Sequence, residues 1–337
     1  MGAVTEDEQK EARWVGETVN VVNHYAREDL DHVDLGSTIG GTPVKIDKRF
    51  IDAELKVVVG LVEPHFMAGF SGGRKLIVPG VSHMETISTV HSSRFMSHPR
   101  CKELLLEGNP LHQEQLEVVN MIKSLPIKDG VGSDGSVYAV NAVLDDTRFL
   151  CHVTFGDIVA SHQAAVDFVK EYAEVELPQQ YETVVTSSAG YPLDKTYYQT
   201  VKGMVTCLDI LAPGGDLIIV SEISEGFGSA EFRSAQENLV RLGPDAFQKL
   251  LESKSHASID EWQTEMLLKS LRKGKIHLYS TGMVQAADRN ATCVHMVDDL
   301  AATIKASLER QSGPEPCIAI IPEGPYVVPV VRRQNAM

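Results

Sequence analysis

Residues 63–75, Glu63-Pro64-His65-Phe66-Met67-Ala68-Gly69-Phe70-Ser71-Gly72-Gly73-Arg74-Lys75, set an imidazole, a glycine-rich loop and a lysine amine in one short segment, and His91 follows on the next predicted helix. Imidazole exchanges protons near neutral pH and binds borderline metals. A loop lysine can join covalently to a carbonyl-bearing group. The loop Ser71-Gly72-Gly73 offers free backbone donors that a ligand can approach closely, and with Arg74 and Lys75 beside them it suits a phosphate or a carboxylate. Taken singly, a strand-end histidine is an ordinary satisfied polar residue and the loop an ordinary solvated turn. Their clustering makes the segment a candidate site.

Two common readings of the loop fail. A Walker A loop needs Gly-Lys-Ser/Thr, whereas Arg74 precedes Lys75 and Leu76 follows it, and no GxGxxG opens a helix anywhere in the chain. For a metal, His83 and His91 lie eight residues apart on the predicted helix, which separates their backbones by about 12 Å at 1.5 Å per residue. His98 lies about two turns further on. One centre would therefore take at most one of the three, and neither an HExxH nor a His/Cys spacing supplies further ligands. If a metal is held, its remaining ligands come from a bound cofactor.

A second cluster opens the C-terminal half. A predicted strand over 183–187 runs into Ser188-Ala189-Gly190-Tyr191-Pro192-Leu193-Asp194, with Asp194 as the expected N-cap of a helix bearing Tyr197, Tyr198, Gln199 and Lys202. A loop at the carboxyl end of a parallel strand is where such sheets bind ligands. Tyr198 and Lys202 share a face with Gln199 beside them, so a phenol, an amide and an ammonium could receive a small carboxylate. An amphipathic helix with a packed tyrosine and a solvated lysine gives the same pattern.

The elements that must position these groups fall into two unlike halves. In the first, a strand over 56–62 precedes the loop, helices follow from about 82 and over 110–125, β-rich runs cover 136–144 and 149–155, and a helix spans 157–175. Asp129-Gly130 and Asp134-Gly135 mark turns. After a polar hinge at 176–180, strands at 183–187, 216–220, 276–280 and 317–321 alternate with helices, including one over 297–310, and Pro213-Gly214-Gly215 reads as a turn. That alternation predicts an α/β fold of two domains, residues 1–177 and 181–321, the second a parallel sheet with helices on both faces. The proline-interrupted segment 322–337 reads as an edge strand or a return crossing to the first domain.

Composition agrees with a small-molecule protein. The 337 residues are 43% hydrophobic, enough for a large core, and exceed the roughly 250–300 at which single cores stop growing. A net charge of −15 opposes association with nucleic acid or anionic membrane, so an anionic ligand must be held by local basic groups. Five scattered cysteines without a CxxC predict neither a disulfide framework nor a thiolate zinc site, and point to a reducing cytoplasm. No signal peptide or membrane span is expected, and the sequon at Asn290-Ala291-Thr292 is read as incidental.

With these residues in view, the chain resembles the nickel-dependent lactate racemase family. The resemblance is carried by His65, the Gly-Phe-Ser-Gly-Gly-Arg-Lys loop ending at Lys75, His91, Gly108-Asn109-Pro110-Leu111-His112, Gly190-Tyr191-Pro192-Leu193-Asp194, Tyr198-Gln199-x-x-Lys202-Gly203 and Glu323-Gly324-Pro325-Tyr326. It spans nearly the whole chain. It implies a nickel-pincer nucleotide, in which sulfur arms and a ring carbon of a pyridinium mononucleotide hold nickel. By the same resemblance Lys75 is the covalent anchor through a thioamide, with Ser71, Gly72, Gly73 and Arg74 around it. His91 is the nickel ligand, His65 one of two acid/base histidines, and Tyr198, Gln199 and Lys202 the substrate site.

The implied reaction is racemisation of a small 2-hydroxy acid, lactate first. One histidine takes the hydroxyl proton while the α-hydrogen passes as hydride to the cofactor and returns to either face. Cofactor-biosynthesis proteins are the implied partners. The family's N-terminal segment, with a second histidine in a His-Arg motif and an Asp-x-x-Arg pair, is expected to be missing, since Thr5-Glu6-Asp7-Glu8 resembles the stretch just after that His-Arg. Two other readings stay open: a racemase or epimerase of another 2-hydroxy acid, and a non-catalytic cofactor- or small-molecule-binding homologue.

Overall fold

The computed structural model describes residues 20–126, 135–145, 147–311, 313 and 315–332. The turn expected at Asp129-Gly130, Asp134 of the next turn and the stretch Thr5 to Glu8 lie outside them.

The first half opens with a hairpin, β1 (His32–Ser37) antiparallel to β2 (Pro43–Asp47). Next come β3 (Lys56–Leu61), the two-residue pair β4 (Pro64–His65) and β5 (Gly69–Phe70), and helices α1 (Met84–Val90), α2 (Ser93–Met96) and α3 (Pro110–Lys123). Strands β6 (Val137–Leu144) and β7 (Leu150–Asp157) then lead into α4 (Ile158–Ala173). β3 runs parallel to β6, and β6 antiparallel to β7. Period-2 alternation turns Val137, Ala139, Asn141 and Val143 inward, and the α4 stripe Ser161, His162, Ala165 and Val169 packs behind the sheet. On the other side, Val59 and Phe155, both register partners of Val140, are each 68% exposed.

The second half contains β8 (Glu174–Leu177), β9 (Tyr181–Ser187), α5 (Tyr197–Thr206) and β10 (Leu211–Val220). These are followed by α6 (Ala230–Leu242), α7 (Pro244–Glu252), α8 (Glu261–Lys273), β11 (Lys275–Tyr279) and β12 (His295–Val297). The last elements are α9 (Leu300–Glu309), β13 (Ala319–Ile321) and β14 (Val328–Val331). Five strands form one sheet in the order β12-β11-β10-β9-β13 with every pairing parallel. Thr183 and Asp216, register partners, both bond Ser307 of α9, whereas the alternate residues Leu217 and Ile219 join the apolar cluster shared with α5 and α8. Helices thus cover both faces, the expected α/β arrangement.

Four local expectations change. The helix from residue 82 breaks at His91 into α1 and α2. Pro213-Gly214-Gly215 is no free turn but a register shift inside β10, where Leu211 pairs with Tyr181 and Asp216 with Thr183. Thr196, not Asp194, caps α5: its Oγ accepts from Gln199 N–H at 3.3 Å, while the buried Asp194 accepts from Glu222 N–H. Glu176 and Leu177 of the expected hinge lie in β8, which pairs in parallel with β14, so the C-terminal segment returns alongside the connection between the halves. One buried apolar cluster runs through both halves, from Ile46, Phe66 and Met96 to Met204, Met266 and Leu278.

Candidate active site

His65 ends the turn after β3 and is fixed by the chain around it. Its Nδ1 accepts two backbone N–H groups, Met67 and Ala68, each at 3.2 Å. Its Nε2 lies 2.9 Å from Lys75 Nζ. With Nδ1 committed as an acceptor, a neutral imidazole carries its proton on Nε2 and donates it to Lys75, which must then present a lone pair. The contact is therefore one that the neutral form of the lysine amine makes. Electrostatics agree: burial first, then the charges of Arg74 and Lys202, pull Lys75 down to about 7. Burial first and Lys75 second hold His65 well below its ordinary value, so it too is neutral.

The loop between them is built to bring the amine to the imidazole. Ser71 Oγ donates to the Leu61 carbonyl and accepts from Glu63 N–H, both at 2.9 Å, so its hydroxyl staples the loop to the end of β3. Gly72 and Gly73 have φ of +76° and +50°, and a short 3-10 turn, Gly73–Leu76, follows. Gly73 N–H donates to Asn141 Oδ1 at 3.2 Å. A Cβ at Gly73 would sit 2.6 Å from His162 Cγ. Gly73→Ala should accordingly cost about 2–4 kcal/mol from left-handed strain plus overpacking, read as a lower urea midpoint at unchanged m-value. A shift below about 0.5 kcal/mol would show that the loop yields freely.

Arg74 does not flank the loop as a free basic group. Its side chain is 2% exposed, with Nη2 donating to the Ala68 carbonyl at 2.6 Å and Nη1 3.0 Å from His162 Nε2. Burial lowers it to about 9, still charged at neutral pH. Among the described residues no carboxylate pairs with Arg74, Lys75 or Lys202, so the site carries buried positive charge without a matched anion.

Of the three candidate metal histidines, His91 has the free edge. His83 caps α1, accepting from Glu85 N–H through Nδ1, with its Nε2 3.0 Å from Asp29. His98 Nδ1 accepts from Arg100 N–H. His91, at the carboxyl end of α1, donates from Nδ1 to the Ile87 carbonyl at 2.8 Å, which fixes the tautomer with a bare Nε2. Burial pulls it down to about 4, keeping it neutral. Among the described residues no three His, Cys, Asp or Glu side chains converge on one point, so His91 would serve a metal singly.

The helix α5 completes the site. Trp262 of α8, which the sequence reading did not single out, packs its ring 4.8 Å from that of His91 and donates from Nε1 to Tyr198 Oη at 3.1 Å. The Tyr198 hydroxyl proton is thereby left for a ligand. Gln199 Oε1 is buried without a partner, an open acceptor. Lys202 is depressed mainly by burial and lies near enough for its charge to bear on His65 and Lys75. Glu63 faces Lys202 and Arg148, and burial raises its carboxyl toward the protonated form. One neighbourhood thus brings together the Lys75 amine, the His65 and His91 imidazoles and the Lys202 ammonium, with Tyr198 tied to His91 through Trp262 and Gln199 beside Tyr198 on α5. His162 and Asn141, which brace the loop, were also missed. Asn141 was visible as the polar residue of an otherwise apolar strand, and Trp262 as one of two tryptophans.

Comparison with known proteins places this geometry. Residues 3–103 match the family described as the lactate racemase N-terminal domain, and residues 177–329 match the lactate racemase C-terminal domain. The lactate racemase of Thermoanaerobacterium thermosaccharolyticum is 30% identical over 262 residues, taking in 77% of this chain and 58% of the relative. That of Lactiplantibacillus plantarum is 28% identical over 315 residues, 91% of this chain and 69% of the relative. The solved lactate racemase apoprotein from T. thermosaccharolyticum superposes with a TM-score of 0.87 at 26% identity, covering 98% of this chain and 76% of that one. A Thermotoga maritima protein at 14% identity and a TM-score of 0.66 shares the fold. With both domain families matched in order along one shared architecture, the chain belongs to the lactate racemase family.

Proposed function

We propose that this protein racemises a small 2-hydroxy acid, lactate first, by means of a nickel-pincer nucleotide joined covalently to Lys75. The observation that carries the reading is the contact between His65 Nε2 and Lys75 Nζ, which presents a nucleophilic amine among the cationic groups Arg74 and Lys202. The residues present fit such a group. Lys75 would anchor it, His91 would give nickel one neutral nitrogen, and the buried charges of Arg74 and Lys202 favour its anionic parts. When bound, the group supplies the site that takes up and returns the α-hydrogen.

The chain's own part is orientation and proton transfer. Lys202 draws the substrate carboxylate, the Tyr198 hydroxyl donates to a substrate oxygen, and Gln199 Oε1 accepts from the substrate hydroxyl. Once Lys75 is acylated its lone pair is gone, and the Nε2 edge of His65 is released toward the substrate hydroxyl; taking the hydroxyl proton there requires the tautomer protonated at Nδ1, which gives up the Met67 and Ala68 N–H contacts. Burial keeps His65 neutral, so one ring nitrogen donates and the other accepts, and the tautomer decides which of them faces the substrate.

The test is co-expression with cofactor-building proteins, followed by intact mass, metal analysis and polarimetry of L-lactate. An organic adduct on Lys75, one nickel per chain and loss of optical rotation are expected. Nickel and adduct with a different 2-hydroxy acid as substrate would move the substrate only, whereas a clean apo mass would leave a non-catalytic homologue. His91→Ala should lower nickel content at least about tenfold, the scale of losing a metal ligand's support, while the adduct on Lys75 persists. Unchanged nickel would remove His91 as its ligand.

A further inference from the structure

A partly buried neutral amine with cationic neighbours is reactive toward more than one electrophile. Lys75 Nζ faces the Nε2–H of His65 and so keeps a lone pair; Lys305, by contrast, has a side chain 77% exposed, with Glu309 at 3.8 Å. Lysines neutralised by burial and by a neighbouring cation are those that form Schiff bases with carbonyl compounds. The pocket adds a preference, since Lys202 has no carboxylate partner at ion-pair distance among the described residues. Glu63, whose carboxyl burial raises above its ordinary value, is not at ion-pair distance from it among the described residues.

We propose that the free protein captures small 2-oxo acids as an imine on Lys75, so that an oxo acid competes with the cofactor for the same amine. The inference rests on the proposed function only in taking Lys75 as the nucleophile of the site. Its chemistry balances without an oxidant. The Nζ lone pair forms a bond to the carbonyl carbon as the C–O π bond opens, and the oxygen takes a proton, for which His65 Nε2–H is the adjacent donor. Loss of that oxygen as water, with the two protons that leave Nζ accounting for its hydrogens, gives the neutral imine. Lys202 would hold the acid's carboxylate, selecting oxo acids over neutral ketones.

The experiment treats the free protein with pyruvate and cyanoborohydride, the reductant that turns an imine into a stable secondary amine, and maps the modified lysine by peptide mass. Modification of Lys75 at least about tenfold faster than of Lys305 is expected, the scale of a substantial nucleophile pKa difference. Acetone should show little such preference, and Lys202→Met should weaken capture of pyruvate but not of acetone. Lys75→Met should retain a cooperative melt and lose the fast adduct. His65→Gln should slow it, because the imidazole Nε2–H that protonates the departing oxygen is lost. Equal labelling of Lys75 and Lys305, or a fast adduct persisting in Lys75→Met, overturns the inference. A protein that takes up nickel and organic adduct on co-expression yet spares Lys75 from pyruvate loses this inference and keeps the proposed function. Trapping by pyruvate with no adduct after co-expression does the reverse.

Discussion

Lys75→Met is expected to abolish racemisation and the covalent adduct together, while altering how stability depends on pH in a direction fixed by the buried amine. The loss of activity follows from removing the only group at that position able to form the bond. The stability effect follows from linkage. Burial and its cationic neighbours bring Lys75 down to about 7 in the folded protein, against about 10.4 for an unfolded lysine. Its folded value is depressed, so between about pH 7 and pH 10 the unfolded chain binds more protons, and wild-type stability rises with pH across that window. Methionine fills similar volume and does not titrate. The wild type should therefore gain on Lys75→Met as pH rises from about 7 to about 10, and lose relative to it as pH falls through that range. Urea unfolding of both proteins at about pH 6.5 and pH 9.5 reads the difference directly. A gap independent of pH would mean that the amine is charged in the folded state.

The second large effect is expected at Lys202. Its ammonium is desolvated, has no ion-pair partner among the described residues, and acts on His65 and Lys75 at the centre of the site. A substrate carboxylate completes it. Lys202→Ala in the cofactor-loaded protein should lower kcat/KM by at least about 2 kcal/mol, or roughly 30-fold, the scale of truncating one partner of a buried charged pair. Most of the loss should lie in KM if the carboxylate is held equally in ground and transition states. Unchanged kcat/KM would take Lys202 out of the substrate site.

How far the site could be read from the sequence depended on how local its parts are. His65, Ser71, Gly72, Gly73 and Lys75 fall within eleven residues, and their chemistry was visible because one loop carries it. The parallel sheet was likewise legible from alternating strands and helices. What escaped depends on contacts distant in sequence. Arg74 looks like a ligand-facing cation until His162, 88 residues away, and the Ala68 carbonyl are seen to enclose it. Trp262 joins His91 to Tyr198 only once α8 packs across both halves. Asp194 has the residue type of a cap, but it lies inside a 3-10 turn, Leu193–Lys195, and the role passes to Thr196. The pairing of β8 with β14 was hidden because four-residue strands carry almost no periodic signal, and prolines at 325 and 329 argue against ladder membership.

That pairing has a mechanical meaning. Where two halves of a protein are joined by a single strand of chain, one may swivel about it in any direction. Here the connection at 174–177 is hydrogen-bonded edge to edge with 328–331, and Arg332 N–H extends the ladder to the Leu177 carbonyl at 2.8 Å. A two-stranded ribbon resists shear within its own plane, because that breaks hydrogen bonds, and yields across its pleat. The junction is therefore a two-stranded ribbon rather than a single strand of chain. A relative movement of the two halves would have to carry both strands of that ribbon, and would also part the apolar cluster that runs through both halves.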